Sequence, residues 1–213
     1  SKYISSKSDN GTANVAKWGF EVKANGNKLF GKEYKYDTVK KASVIKDDTS
    51  ATLTVQAATG NTSNLVAPGT TGSMTFSITG TAEVRSKIEV SLTGNDVVLK
   101  YTTATVADGE YAPVKWTLKK KDATDPLLNG GTFAQLTTEL AKLNATVEAN
   151  ATYAKAGEYT IEWAWAFESG NDALDTFLGT IANKPATTTD GTYTKVEEGT
   201  HTAISFNLSV SVT

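Results

Sequence analysis

The stretch Tyr159-Thr160-Ile161-Glu162-Trp163-Ala164-Trp165-Ala166-Phe167 decides the fold class. Tyr159, Ile161, Trp163, Trp165 and Phe167 fall on one face at a spacing of two, and smaller or polar residues fall between them. That period belongs to a strand with one buried face, since successive side chains point to opposite sides of a pleated sheet. Large rings repeated on one face predict a thick core, with Trp163, Trp165 and Phe167 inside it rather than displayed as a carbohydrate platform.

The same period recurs outward in both directions. Towards the N-terminus it marks Pro113 to Lys119, Asp96 to Tyr101, Val84 to Leu92, Ser73 to Thr79, Ala51 to Ala57 and Ala16 to Lys23. Towards the C-terminus it marks Ala203 to Val212, with Ile204, Phe206, Leu208, Val210 and Val212 in step. Gly, Asn and Asp supply the turns between these runs. Many short alternating strands mean a sandwich or a barrel. Two segments change period. Phe133, Leu136, Leu140 and Leu143 are three and four apart, as are Leu174, Phe177, Leu178 and Ile181. Both predict short helices, with Thr132 and Asn171 as N-caps. The expected fold is all-β: a jelly-roll-like antiparallel β-sandwich with two helical excursions, forming one domain over residues 13–213.

Composition narrows the function. The 213 residues carry 21 basic and 23 acidic side chains, so no basic field is available for nucleic acid or an anionic membrane. No run reaches the roughly 20 apolar residues of a membrane span. There is no Cys and one His, His201, which leaves no Cys nucleophile, Cys/His zinc site or iron–sulfur cluster. No phosphate-loop, nucleophile-elbow or zincin motif is present. The chain does not read as an enzyme. It reads as a mature exported protein from which a leader has been removed.

Two sets of candidate sites remain. Glu168, Asp172 and Asp175 lie around the start of the second helix. Their oxygens are candidate Ca2+ ligands, and helix capping and dipole pairing explain the same residues without an ion. No other cofactor is expected. Asn-x-Ser/Thr sequons make Asn10, Asn61, Asn144 and Asn150 glycosylation candidates; a fifth, Asn207, falls inside a strand pattern.

Several patches together resemble the TasA/camelysin group of secreted filament proteins, whose relatives build bacterial biofilm-matrix fibres and archaeal bundling pili. They are Tyr3 near the start, the small-residue lead Ala13 to Val22, the turn Asn64-Leu65-Val66-Ala67-Pro68-Gly69, the strand Met74-Thr75-Phe76-Ser77-Ile78, and Gly80-Thr81-Ala82-Glu83 before a long strand. The late element Trp163 to Glu168 with Asn171 to Thr176 is similar to one in exported proteins of this type. A metalloprotease label attached to some camelysin-like proteins does not carry over, because no His pair exists here. The resemblance implies an extracellular filament or pilus subunit whose N-terminal segment, residues 1–12, enters the next copy as a missing strand. Its partners are then identical subunits, with a cell-surface or matrix polysaccharide as a further expectation. Tyr3 and Ile4 are the expected apolar anchors, with Val15 nearby and Gly11 as the hinge. The rival reading is a monomeric secreted module that binds carbohydrate or a surface.

Overall fold

The computed structural model describes residues 19–24, 67–168, 170–181, 184 and 189–213 in full, and the backbone of 6–7, 13–14, 27–30, 34–37, 42–45 and 50–56. Tyr3, Ile4, Gly11, Val15, Asn10 and Asn61 lie outside the described residues.

In chain order the first strands are β1 (Ser6–Lys7), β2 (Ala13–Asn14), β3 (Phe20–Ala24), β4 (Asn27–Phe30), β5 (Tyr34–Asp37), β6 (Ala42–Ile45) and β7 (Ser50–Gln56). The long strands β8 (Thr71–Gly80) and β9 (Ser86–Asn95) follow, then β10 (Val98–Thr102), β11 (Gly109–Tyr111), β12 (Lys115–Lys120) and β13 (Leu128–Gly131). Helix α1 (Phe133–Ala141) leads to β14 (Ala145–Val147) and β15 (Gly157–Ala164). Helix α2 (Asp172–Ile181) leads to β16 (Thr189–Asp190), β17 (Tyr193–His201) and β18 (Ser205–Val212).

The fold is all-β and sandwich-like, as the alternation predicts. A six-stranded sheet runs β13-β12-β15-β8-β3-β4, and a four-stranded sheet runs β14-β9-β18-β7. A further four-stranded sheet, β11-β10-β17-β16, continues the second one. The continuity follows from the chain: β9 passes into β10 through Asp96-Val97, and β17 passes into β18 through Thr202-Ala203-Ile204. The same two stretches therefore pair twice, first as β10 with β17 and then as β9 with β18. They form one long antiparallel ribbon with a bend in the middle.

The core lies between the six-stranded sheet and this ribbon. Trp116 on β12 sets its ring edge against Phe206 of β18, with centroids 5.6 Å apart, and against Phe133 of α1 at 5.3 Å. Phe76 and Tyr159, directly opposite on β8 and β15, stack at 5.4 Å. The Trp163 indole lies over Gly72, its cross-strand partner, and a Cβ there would fall 2.4 Å from the ring. Glycine is required at that position by the close approach, not by a turn.

Helix α1 starts where the sequence predicts. Thr132 accepts from the Gln135 N–H at 3.1 Å, and the Gln135 side chain accepts from the Thr132 N–H at 2.9 Å. This capping box satisfies two of the N-terminal donors that the helix cannot. Leu136 and Leu140 turn inward. In the turn Ala67-Pro68-Gly69-Thr70 the Thr70 N–H donates to the Ala67 carbonyl at 3.1 Å, with Gly69 at φ +85°. That is the residue order of a type II turn, which needs positive φ at its third position.

One core expectation is corrected. Phe167 is 75% exposed, whereas Trp163 and Trp165 are 2% exposed. The ladder stops at Ala164, and the Trp165 backbone then pairs with the turn at Gly69 and Thr70. Beyond it the chain leaves the sheet, so the alternation no longer directs Phe167 inward.

Candidate functional site

The C-terminal strand β18 is paired on both sides, with β9 and with β7. Which backbone groups of β7 are taken follows from the register. Lys87 and Thr213 exchange N–H···O bonds at 2.7 and 3.0 Å, so odd-numbered residues of β9 and β18 face each other. Even-numbered residues of β18 therefore face β7, where their partners are Ala51, Leu53 and Val55. By the same alternation Ser50, Thr52, Thr54 and Gln56 direct N–H and C=O to the other side of β7. No described strand pairs there. Strand β4, which ends the other sheet, approaches β7 without pairing with it. Among the described residues, then, β7 is the last strand of its sheet, and one side of its seven residues has no strand partner. At the opposite end of this sheet β9 is better covered. Strand β14 pairs with its first residues, and the Val90 N–H donates to Asn144 Oδ1 at 2.6 Å.

Beyond the bend, β16 flanks β17 on the same side that β7 flanks β18, because β9 and β10 take the other side. Between β16, β17 and α2 runs a groove of about 550 Å3. Phe177 and Tyr193, stacked at 5.5 Å, line it together with the exposed Asp172 and Asp190.

Helix α2 is fixed by a buried carboxylate. Asp175 is 8% exposed, and its Oδ1 accepts from the Tyr111 hydroxyl at 2.5 Å and from Trp165 Nε1 at 3.2 Å. The Asp175 N–H donates to the Asn171 carbonyl at 2.9 Å, which opens the helix at the expected place. The candidate calcium ligands do not come together. Glu168 and Asp172 are exposed while Asp175 points inward, and among the described residues no three His, Asp or Glu side chains form a metal-holding group. Of the sequons within the described residues, Asn144 and Asn150 are both exposed, and Asn150 has φ +65°.

Asp96 is the feature that the sequence reading passes over. It is 8% exposed at the bend between β9 and β10. Burial raises its carboxyl to about 6, against a partial pull downward from the Val97 N–H, which donates to Oδ1 at 2.8 Å, and from the Lys115 charge. The Trp116 indole N–H faces this carboxyl without closing a hydrogen bond of standard geometry. A lone Asp before Val-Val reads as a strand start, and only the double pairing of the ribbon buries it.

No family model, curated protein or solved structure matches this chain. The likeness to the TasA/camelysin group is carried by the quoted residues alone. Among the described residues, no helix is long and apolar enough to cross a membrane.

Proposed function

We propose that the chain is a structural subunit of an extracellular filament, polymerising head to tail by lending residues 1–12 to the next copy as a strand. The open edge of β7 carries this reading. The N–H and C=O groups that Ser50, Thr52, Thr54 and Gln56 direct away from β18 have no strand partner among the described residues and are a template for one more strand. A contact between an N-terminal segment and a distant edge is heterologous, and repeating it gives a filament rather than a closed ring. We read the sandwich as jelly-roll-like because the chain crosses between its two main sheets from β7 to β8 and again from β8 to β9. In a single chain Ser6 and Lys7 pair with Asn14 and Ala13. Exchanging that two-residue ladder for a seven-residue one favours the assembled form.

The rival carbohydrate module calls for a row of exposed rings. Trp116, Trp163 and Trp165 are buried instead, and Phe167 stands alone as an exposed aromatic among the described residues. Negative-stain microscopy of the full chain, beside a chain lacking residues 1–10, tests the proposal. Filaments are expected from the first only. Filaments of equal length from both would overturn it.

A further inference from the structure

We propose that Asp96 and Trp116 form a proton-operated latch at the bend of the long ribbon: the ionised carboxylate takes the indole N–H and ties the bend to the six-stranded sheet, and the protonated acid lets it go. Both layers of the sandwich meet there. Asp96 stands where β9 passes into β10 and is 8% exposed. Trp116 comes from β12, in the other layer, and is fully buried. Its ring meets Phe206 of β18 edge-on, and Phe206 is the cross-strand partner of Gly94, two residues before Asp96. The indole thus reaches the carboxyl from across the sandwich. It faces Asp96 while its Nε1 has no hydrogen-bond partner among the described residues. A buried donor left unpaired is costly, so the pair gains by closing. The ladder is irregular on both sides of Asp96. Gly94 has φ +132°, and past Val98 the register slips, with residues 197–200 of β17 opposite Leu99 alone. Such breaks let a strand turn locally while the rest of its ladder holds.

Burial holds the Asp96 carboxyl up at about 6, from an ordinary 3.8, against the Val97 N–H on Oδ1, the Trp116 N–H and the Lys115 charge. Lys115 of β12 is the cation that acts on it, and across the ribbon the titratable group at the bend is His201, exposed and paired with Val98. Hydrogen bonds to an ionised acceptor are shorter and roughly twice as strong as those to a neutral one. Above the midpoint the indole N–H is drawn in; below it the carboxyl keeps the Val97 N–H alone.

Nitrogen-15 labelling of the indoles in the full-length chain reads the latch directly, by NMR in solution or, for assembled material, by magic-angle spinning. The chain has 4 tryptophans, so the spectrum is simple. Trp116 is identified by its contacts with the Phe206 and Phe133 rings, and Trp163, whose indole lies over Gly72, is the internal reference. Between about pH 4 and 8 the Trp116 indole proton is expected to move downfield with a midpoint near 6, while that of Trp163 stays fixed. Asp96→Asn keeps the shape and one acceptor oxygen and should abolish the movement. The Val97 amide, corrected for its intrinsic exchange rate, should exchange several-fold more slowly above the midpoint than below it in the parent, and equally at both in the variant. A Trp116 signal that stays fixed in the parent would overturn the inference without recourse to any variant. Movement that persists in Asp96→Asn would overturn it too. So would a moving signal with unchanged Val97 exchange, since the proton would then be felt at the indole while nothing at the bend was held.

Discussion

Asp96 and Asp175 are both 8% exposed, and their surroundings make opposite predictions. The carboxylate of Asp175 accepts from two buried donors, Tyr111 and Trp165. Asp175→Ala strands both and should cost about 3 kcal/mol in urea unfolding, while Asp175→Asn keeps the Oδ1 acceptor and should cost less. Asp96 instead has a folded value near 6, above its ordinary 3.8, because burial disfavours the charge. The native state then holds a proton that the unfolded chain has already released. Its contribution is fully present below about pH 4 and is lost as pH rises to about 6, a fall of about 2 to 3 kcal/mol. Asp96→Asn should remove that slope. Urea titrations at pH 4 to 7 check it, and parallel curves for the two chains would refute the assignment. Neither role is legible in the sequence. A carboxylate declares its partners only when distant strands meet around it, and here Tyr111 lies 64 positions from Asp175.

At the scale of elements, the open edge predicts how proline will act. Thr52 and Thr54 turn their N–H groups away from β18, so proline at either removes no bond of the β18 ladder and none to another described strand. Thr52→Pro and Thr54→Pro should leave the melting temperature nearly unchanged and suppress filaments in electron micrographs. Leu53→Pro breaks the β18 ladder and should unfold the edge. Helix α1 offers a separate check: Thr132→Ala removes half of the capping box and should cost about 1 kcal/mol by chemical denaturation. Long alternating strands were readable in advance, since β8, β9, β15 and β18 all lie within a few residues of their predicted spans. The strand Tyr193–His201 was not, because its inward positions include Lys195, 7% exposed and ion-paired to Glu197 at 2.7 Å. A buried lysine breaks the apolar alternation that betrays a strand. Phe167 failed for the complementary reason: the period ran on in the sequence after the ladder had ended.

For the molecule as a whole, the predicted domain from residue 13 onward implies that a chain lacking residues 1–10 remains folded. Its melting temperature should stay within a few degrees of the parent while its sedimentation becomes that of a monomer at all concentrations. The fold class was readable because burial imposes period two on every long strand. The outer position of β7 was not, because which strand stands last in a sheet depends on pairings between residues some 160 positions apart, such as Ser50 with Ser211. The placement of β18 between β7 and β9 also sets how tension would travel through the proposed assembly. In the proposed filament, a borrowed strand drawn lengthwise against β7 would pass the force to β18 and then to β9. Every ladder in that series lies along the pull. Its hydrogen bonds share the strain and must yield together, where a hairpin peeled from its end would lose them singly. Strain of this kind is resisted by the number of paired residues, so seven-residue and eight-residue ladders would make the proposed fibre stiff under tension without a covalent bond between subunits.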